Sequence, residues 1–154
     1  MEIERKFLVY KNKLPKDLTK YKCRHIEQGY LCTDPVIRIR KDNDTYVLTY
    51  KTKGLMSREE YEMPLTKESF QHLSKKIDGN LIVKDRYEIP FENSLIIELD
   101  VFKDFLEPLI LAEVEFRSEN DANSFVPPKW FSKDVTFSGQ YHNSYLSTLK
   151  QINC

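Results

Sequence analysis

The stretch Glu2-Ile3-Glu4-Arg5-Lys6-Phe7-Leu8-Val9 decides how this chain is read. At the two-residue period of a β-strand, Glu2, Glu4 and Lys6 share one face, while Ile3, Arg5 and Phe7 share the other. Same-face residues on a strand lie about 6.7 Å apart. Two glutamates at that spacing can bend toward a single divalent cation, and a lysine one step further is placed for an anion held by that cation. An exposed amphipathic strand would look the same, so the motif alone is weak. It gains weight because the pattern recurs along the chain.

Working outward, extended segments are predicted at 2–10, 21–33, 36–41, 45–53, 58–65, 80–89, 94–102 and 110–117. Gly29 inside the second predicts a bulge or a close approach. Thr66 as N-cap and Ser69 in the capping-box slot predict a helix from 66 to about 79, with Phe70, Leu73 and Ile77 on one face. Residues 119–126 read as helical, and a last helix is predicted over about 138–151. Eight strands joined mostly by hairpins give an α+β, mainly β, single domain over 1–154. Its core is a closed eight-stranded antiparallel β-barrel with a few flanking helices.

The strands split into an ionic and an apolar face. The ionic sets are Arg38 and Arg40; Thr49, Lys51 and Lys53; Arg58, Glu60 and Glu62; Lys84 and Arg86; Glu98 and Asp100; Glu113 and Glu115. The apolar sets include Ile3, Phe7, Ile37, Ile39, Leu48, Val83, Leu99, Val114 and Phe116. The commoner design is an apolar core under a charged coat. Here carboxylates cluster on the first, seventh and eighth strands and bases on the third, fourth and sixth, whereas a solvated coat usually intersperses signs. Like charges facing each other across strands are unfavourable unless a cation intervenes. The expectation is therefore an inverted barrel, with grease outward and charges lining a tunnel. Hard carboxylate oxygens suit Mg²⁺ or Mn²⁺ rather than a thiolate metal, and Arg suits bidentate phosphate capture.

Lys+Arg and Asp+Glu balance at 24 each among 154 residues. That balance argues against a strongly basic nucleic-acid binder and against a polybasic membrane anchor. No apolar run is long enough to cross a bilayer. Glu2 and Glu4 stand where a secretory signal would carry basic residues. Cys23, Cys32 and Cys154 show no metal-ligand spacing, so reduced thiols in a cytoplasmic protein are expected. His25 and His72 read as surface or hydrogen-bonded residues, His142 as an outside candidate for the site, and Trp130 as a packing anchor. A Tyr- and Phe-rich outer wall leaves a homodimer open.

The opening Glu2-Ile3-Glu4-Arg5-Lys6 resembles the ExExK signature of the CYTH superfamily, the triphosphate tunnel metalloenzymes. The resemblance continues in order through Gln28-Gly29-Tyr30-Leu31, Ile37-Arg38-Ile39-Arg40, Leu48-Thr49-Tyr50-Lys51, Ser57-Arg58-Glu59-Glu60-Tyr61-Glu62, Lys84-Asp85-Arg86-Tyr87, Ile97-Glu98-Leu99-Asp100-Val101-Phe102, Leu111-Ala112-Glu113-Val114-Glu115-Phe116 and Pro127-Pro128-Lys129-Trp130-Phe131. It implies an Mg²⁺- or Mn²⁺-dependent hydrolase of triphosphates, closest to short bacterial inorganic tripolyphosphatases. By that resemblance Glu2, Glu4 and Glu115 hold metal, with Glu60, Glu62, Glu98, Asp100 and Glu113 as further ligands or water-positioning groups. Lys6, Arg38, Arg40, Lys51, Lys53, Arg58 and Arg86 hold phosphates, and Lys84 and Tyr30 activate water. One departure stands out: Gln140 precedes Tyr141-His142-Asn143 where family members often carry a basic residue. Alternatives within the resemblance are a thiamine or nucleoside triphosphatase and an adenylate cyclase; outside it stand a polyphosphate-binding module without turnover and a plain carrier barrel with an apolar cavity.

Overall fold

The computed structural model describes residues 2–53 and 56–149. The last part of the predicted C-terminal helix, and Cys154, lie outside the described residues. Ten strands are present: β1 (Glu2–Val9), β2 (Lys22–Thr33), β3 (Val36–Asp42), β4 (Thr45–Lys51), β5 (Ser57–Arg58), β6 (Glu60–Pro64), β7 (Asp78–Pro90), β8 (Ile96–Phe102), β9 (Ile110–Glu115) and β10 (Phe131–Asp134). They form one antiparallel sheet in the order β10-β1-β9-β8-β7-β2-β3-β4-β6, and β5 pairs back onto β1. The sheet thereby curls into a nearly closed barrel.

Closure depends on how β1 shares its second edge. One edge pairs with β9 from Glu4 to Leu8. Along the other, Glu2 faces Arg58 and Ile3 faces Ser57 of β5, while Phe7 faces Asp134 and Val9 faces Phe131 of β10. The predicted strand 58–65 is thus two pieces. At Glu59 the chain leaves the ladder: its N–H donates to Thr52 Oγ1 (3.0 Å) and its carbonyl accepts from the Thr52 N–H (3.1 Å). The first piece closes the barrel on β1 and the second stays on β4. The strand β10 is an addition to the eight expected; four residues of mixed polarity after two prolines carry too little alternation to show in the sequence.

Helix α1 (Lys67–Ser74) has its reciprocal capping box between Thr66 and Ser69. It stops short of the predicted end near 79, because Asp78 already opens β7 and Gly79 turns the chain at φ 68°. Ile77 therefore leaves the helix and packs on Gly29, where an added Cβ would meet it at 2.8 Å. The β2–β7 register also shifts at this point, between Gln28 and Tyr30. Helix α2 (Glu119–Ser124) is capped by Ser118. The predicted helix over 138–151 is instead a 3-10 turn at Gly139–Tyr141 followed by the single-turn α3 (Asn143–Leu146).

Most of the apolar face points away from the barrel axis and is buried there. Ile3, Phe7, Leu99, Val114 and Phe116 form one cluster with Ile89, Ile97, Ala112, Ala122 and Phe131, roofed by α2 and β10. Phe7 stacks against Phe131 at 4.7 Å between ring centroids. Arg5 fastens the roof from the same face: it donates to the Ala122 carbonyl (2.9 Å), pairs with Asp134 (2.8 Å) and lies over the Phe7 ring at 5.0 Å. Trp130 packs edge-on to Phe131, in keeping with an anchor. Ile39 is also fully buried, whereas Ile37, Leu48 and Val83 are only half-buried.

The inward face changes character along its length. Glu2, Glu4 and Lys6 give way to Leu8 on β1, Glu115 and Glu113 to Leu111 on β9, Asp100 to Phe102 on β8, and Arg86 and Lys84 to Ile82 on β7. Ile82, Phe102 and Leu111 meet Tyr30, Leu106, Leu109, Val135 and Leu146 in a second cluster. That cluster plugs one end of the barrel. Phe7→Ala is expected to destabilise the protein by about 3–5 kcal/mol, because it empties the contact between barrel wall and roof. Denaturant midpoints measure it; a loss under about 1 kcal/mol would mean the roof does not seal that wall.

Candidate active site

Above the plug lies a hollow of about 200 Å³. Its wall carries seven carboxylates (Glu2, Glu4, Glu60, Glu62, Glu98, Glu113 and Glu115) and seven bases (Lys6, Arg24, Arg38, Arg40, Lys51, Arg58 and Arg86). Tyr30, Val36, His142, Asn143 and Ser144 complete it. The strand period places these residues: each ionic set occupies alternate positions of one strand, and the register aligns the sets. Glu4 faces Glu115 and Lys6 faces Glu113 across β1 and β9. Glu98 faces Glu113 across β8 and β9, and Arg86 faces Asp100 across β7 and β8.

Part of this charge is internally matched. Lys51 bridges Glu2 (2.9 Å) and Glu60 (3.7 Å). Lys6 pairs with Glu113 (3.4 Å), which also takes Arg86 (3.3 Å). Burial raises the cost of ionising Glu113, but Lys6 and Arg86 outweigh it and hold the carboxyl well below its usual range. Arg24 pairs with Asp42 and with Glu98 (3.1 Å).

At the bottom of the hollow, Asp100 is fully buried between two cations. Arg86 grips it through Nε (2.7 Å) and Nη2 (2.8 Å), and Lys84 Nζ lies 2.8 Å away. Those two cations overcome burial and keep Asp100 ionised below its ordinary range. Burial pushes the Lys84 ammonium down to about 7 despite Asp100, so of the two cations Lys84 holds its proton the more loosely.

Other charges have no partner of opposite sign within ion-pair distance among the described residues. Arg38, Arg40 and Arg58 meet only neutral groups: Arg38 donates to Thr49 Oγ1 (3.1 Å), Arg40 to Gln28 Oε1 (2.9 Å), and Arg58 Nη2 lies 3.0 Å from His142 Nδ1. The Nε groups of Arg38 and Arg58 are buried without an acceptor. Burial, with Arg38 and Arg86 nearby, drives the Arg40 guanidinium down to about 9. His142, held down to about 4 by burial and by Lys6 and Arg58, stays neutral and adds no charge. Glu4 and Glu115, cross-strand partners on β1 and β9, likewise lack a basic partner. Burial, reinforced by Glu113, pushes Glu4 up to about 7. An anion would relieve the first set and a cation the second.

The carboxylate wall fits a hard divalent cation. Its donors are oxygens only, and Glu4 is a half-buried acid opposite another acid. No three of these carboxylates bring oxygens within 4.8 Å of one another among the described residues. The wall therefore suits a cation whose shell is shared between a few carboxylates, water and anion oxygens, the Mg²⁺ habit, better than a closed protein cage.

The sequence-predicted residues distribute unevenly. Glu2, Glu4, Glu60, Glu62, Glu98, Glu113, Glu115, Lys6, Arg38, Arg40, Lys51, Arg58, Arg86 and Tyr30 line the hollow. Lys53 does not: β4 ends at Lys51, and Lys53 stands in solvent, 3.2 Å from Asp34. Asp100 and Lys84 lie beneath the lining, and both Asp100 oxygens accept from Arg86 and Lys84. Lys84 reaches the lining through Asn143 Oδ1 at 3.3 Å. Arg24, Asn143 and Ser144 also line the hollow, although no signal in the local sequence assigns them to it, and they join His142, the outside candidate. Gln140 is exposed, yet the segment after it enters the wall, and Lys6 Nζ donates to the Tyr141 carbonyl at 3.1 Å.

Fold and hollow together define an antiparallel barrel with a mixed-charge interior, matched in sign and open to an ion pair of cation and anion. The family model described as the CYTH domain matches residues 1–149, and the chain belongs to that family. It is 39% identical over 149 residues to a Nitrosomonas europaea protein named inorganic triphosphatase, covering 95% of this chain and 96% of that one. A crystal structure of an inorganic triphosphatase superposes with a TM-score of 0.73 at 36% identity, over 98% of this chain and 97% of the other. A Hippeastrum protein with a dominant triphosphatase activity matches at TM-score 0.60 over 80% of this chain and 83% of that one, and at 17% identity the likeness is one of fold.

Asp100→Asn is expected to cost about 3–5 kcal/mol of stability, because it leaves Lys84 and Arg86 buried without their shared counter-ion. Urea unfolding measures it; a near-neutral change would mean water already reaches this cluster.

Proposed function

We propose that this chain is a divalent-metal-dependent triphosphatase that cleaves inorganic tripolyphosphate to pyrophosphate and orthophosphate, with Mg²⁺ or Mn²⁺ as its cofactor. One observation carries the reading: unpaired arginines and unpaired carboxylates line one small hollow. A pure anion binder would not surround its ligand with seven carboxylates, which repel it in the absence of a metal. The volume supports the inorganic substrate, since sites for drug-sized ligands run to about 300–1,000 Å³. The similarity to named inorganic triphosphatases supports the same reading.

In this account Glu2, Glu4 and Glu115 hold the cation, with Glu60, Glu62, Glu98 and Glu113 around them. The bound ion would neutralise phosphate charge and acidify a water. Arg38, Arg40, Arg58 and Arg86, with Lys6 and Lys51, bind the phosphate chain and stabilise charge on the transferred phosphoryl group. Tyr30, whose hydroxyl accepts from Gln28 at 3.1 Å, orients the attacking water from the wall. Lys84 in its neutral form takes the proton through an intervening water, with Asn143 Oδ1 orienting its Nζ at 3.3 Å, while Asp100 keeps Arg86 as partner. No helix among the described residues is long and apolar enough to cross a membrane, and the reading is of a cytoplasmic enzyme with a small-molecule partner rather than nucleic acid.

A second reading has its own observation. A groove of about 680 Å³ lined by Phe91, Phe116 and Phe125 adjoins the hollow and shares Glu98 and Glu115 with it. It offers room for an organic group on the end of a triphosphate, as in a thiamine or nucleoside triphosphate.

A phosphate-release assay over tripolyphosphate, ATP, thiamine triphosphate and pyrophosphate, with Mg²⁺, Mn²⁺ or EDTA, separates these readings. Tripolyphosphate should turn over fastest and EDTA should stop it. Binding without release from any substrate would replace the enzyme with a sensor. Glu4→Gln should abolish turnover while the barrel stays folded by circular dichroism; unchanged turnover removes Glu4 from the ligand set. Arg40→Ala should weaken tripolyphosphate binding by about 1.5–3 kcal/mol in calorimetry. Undiminished affinity would take Arg40 out of the phosphate site.

A further inference from the structure

The outer wall of the barrel carries a second constellation of metal-ligating groups. Cys23 and His25 are two residues apart on β2 and so share its outward face. Asp85 is the cross-strand partner of His25 on β7. One ligand atom from each of Cys23, His25 and Asp85 lies within 4.8 Å of the others. His25 Nδ1 is 2.5 Å from Asp85 Oδ1. Cys23 is a free, half-buried thiol. The alternating residues Arg24, Lys84 and Arg86 point the other way, toward the hollow, so the sheet separates the two sites.

The geometry points to a transition-metal site of the Zn²⁺ class at Cys23, His25 and Asp85, independent of the hard cation in the hollow. A tetrahedral Zn²⁺ with ligands at about 2.0–2.3 Å sets its donors about 3.3–3.8 Å apart. The three ligand atoms lie within 4.8 Å of one another, and His25 and Asp85 exchange their 2.5 Å hydrogen bond for bonds to the ion. Thiolate and imidazole select a borderline or soft ion over Mg²⁺. Two features oppose binding. Burial raises the Cys23 thiol, so the ion must displace its proton. Lys103 Nζ, 3.6 Å from Asp85 Oδ2, must give way. The bound ion would clamp β2 to β7, the strands whose inner faces carry Arg24, Lys84 and Arg86.

The test is titration of the full-length protein with Co²⁺, followed by Zn²⁺ competition, in excess Mg²⁺. A thiolate-to-cobalt charge-transfer band should appear in the wild type and be displaced by one equivalent of Zn²⁺. Cys23→Ser should abolish it, and His25→Ala should weaken binding at least about tenfold, the lower bound for disturbing even a ligand's supporting partner. Zn²⁺ should raise the wild-type melting temperature but not that of Cys23→Ser. Both variants should keep their metal-free melting temperature, which controls for folding. A band that survives Cys23→Ser assigns the ion to another thiol and overturns the proposal, as does the absence of any band in the wild type.

Discussion

The pairing of β1 with β9 sets Glu4 opposite Glu115 and Lys6 opposite Glu113. Two carboxylates placed opposite one another cost free energy unless a cation lies between them. The register cannot slip to avoid this. A one-residue shift of β1 would turn Ile3 and Phe7 inward and strip the roofed cluster of part of its wall. The apolar outer face therefore enforces the like-charge contact inside, and everything about the hollow follows from that constraint.

The same inward face serves two purposes along its length. Near one end its residues are ionic and incompletely matched; toward the other they become Ile82, Phe102 and Leu111, which seal the barrel. Between them Asp100, Arg86 and Lys84 form a buried ionic layer in which the central carboxylate is fully satisfied. That layer fixes the Arg86 guanidinium so that its remaining edge meets Glu98 (3.4 Å) and Glu113 (3.3 Å) at the floor of the hollow. The charges above it are left free to respond to a ligand. The arginines Arg38, Arg40 and Arg58 rest on neutral partners, which orient them without neutralising them.

The period-two alternation made most of the barrel legible in the sequence, because inversion leaves the alternation intact and only exchanges which face is wet. The clustering of signs by strand distinguished the inverted barrel from the ordinary one. What stayed hidden depends on contacts between distant segments. Lys53 continues the alternation of Thr49 and Lys51 on paper, but the ladder ends at Lys51. Asp100 looks like Glu98 in sequence, and only the fold brings Arg86 and Lys84 onto both of its oxygens. His142 to Ser144 sit in a stretch with helical periodicity, which conceals that the chain turns there to complete the wall. The break at Glu59, which lets one strand serve both β4 and β1, leaves no local mark at all.

The central claim is that the two unpaired sets of charge await an anion and a cation inside the barrel. A crystal structure with tripolyphosphate and Mn²⁺, the ion located by its anomalous scattering, tests it most directly. The account predicts Mn²⁺ against Glu2, Glu4 and Glu115, and phosphates within hydrogen-bond distance of Arg38, Arg40 and Arg58. Manganese and phosphate found only on the outer surface, with the hollow holding water alone, would contradict it.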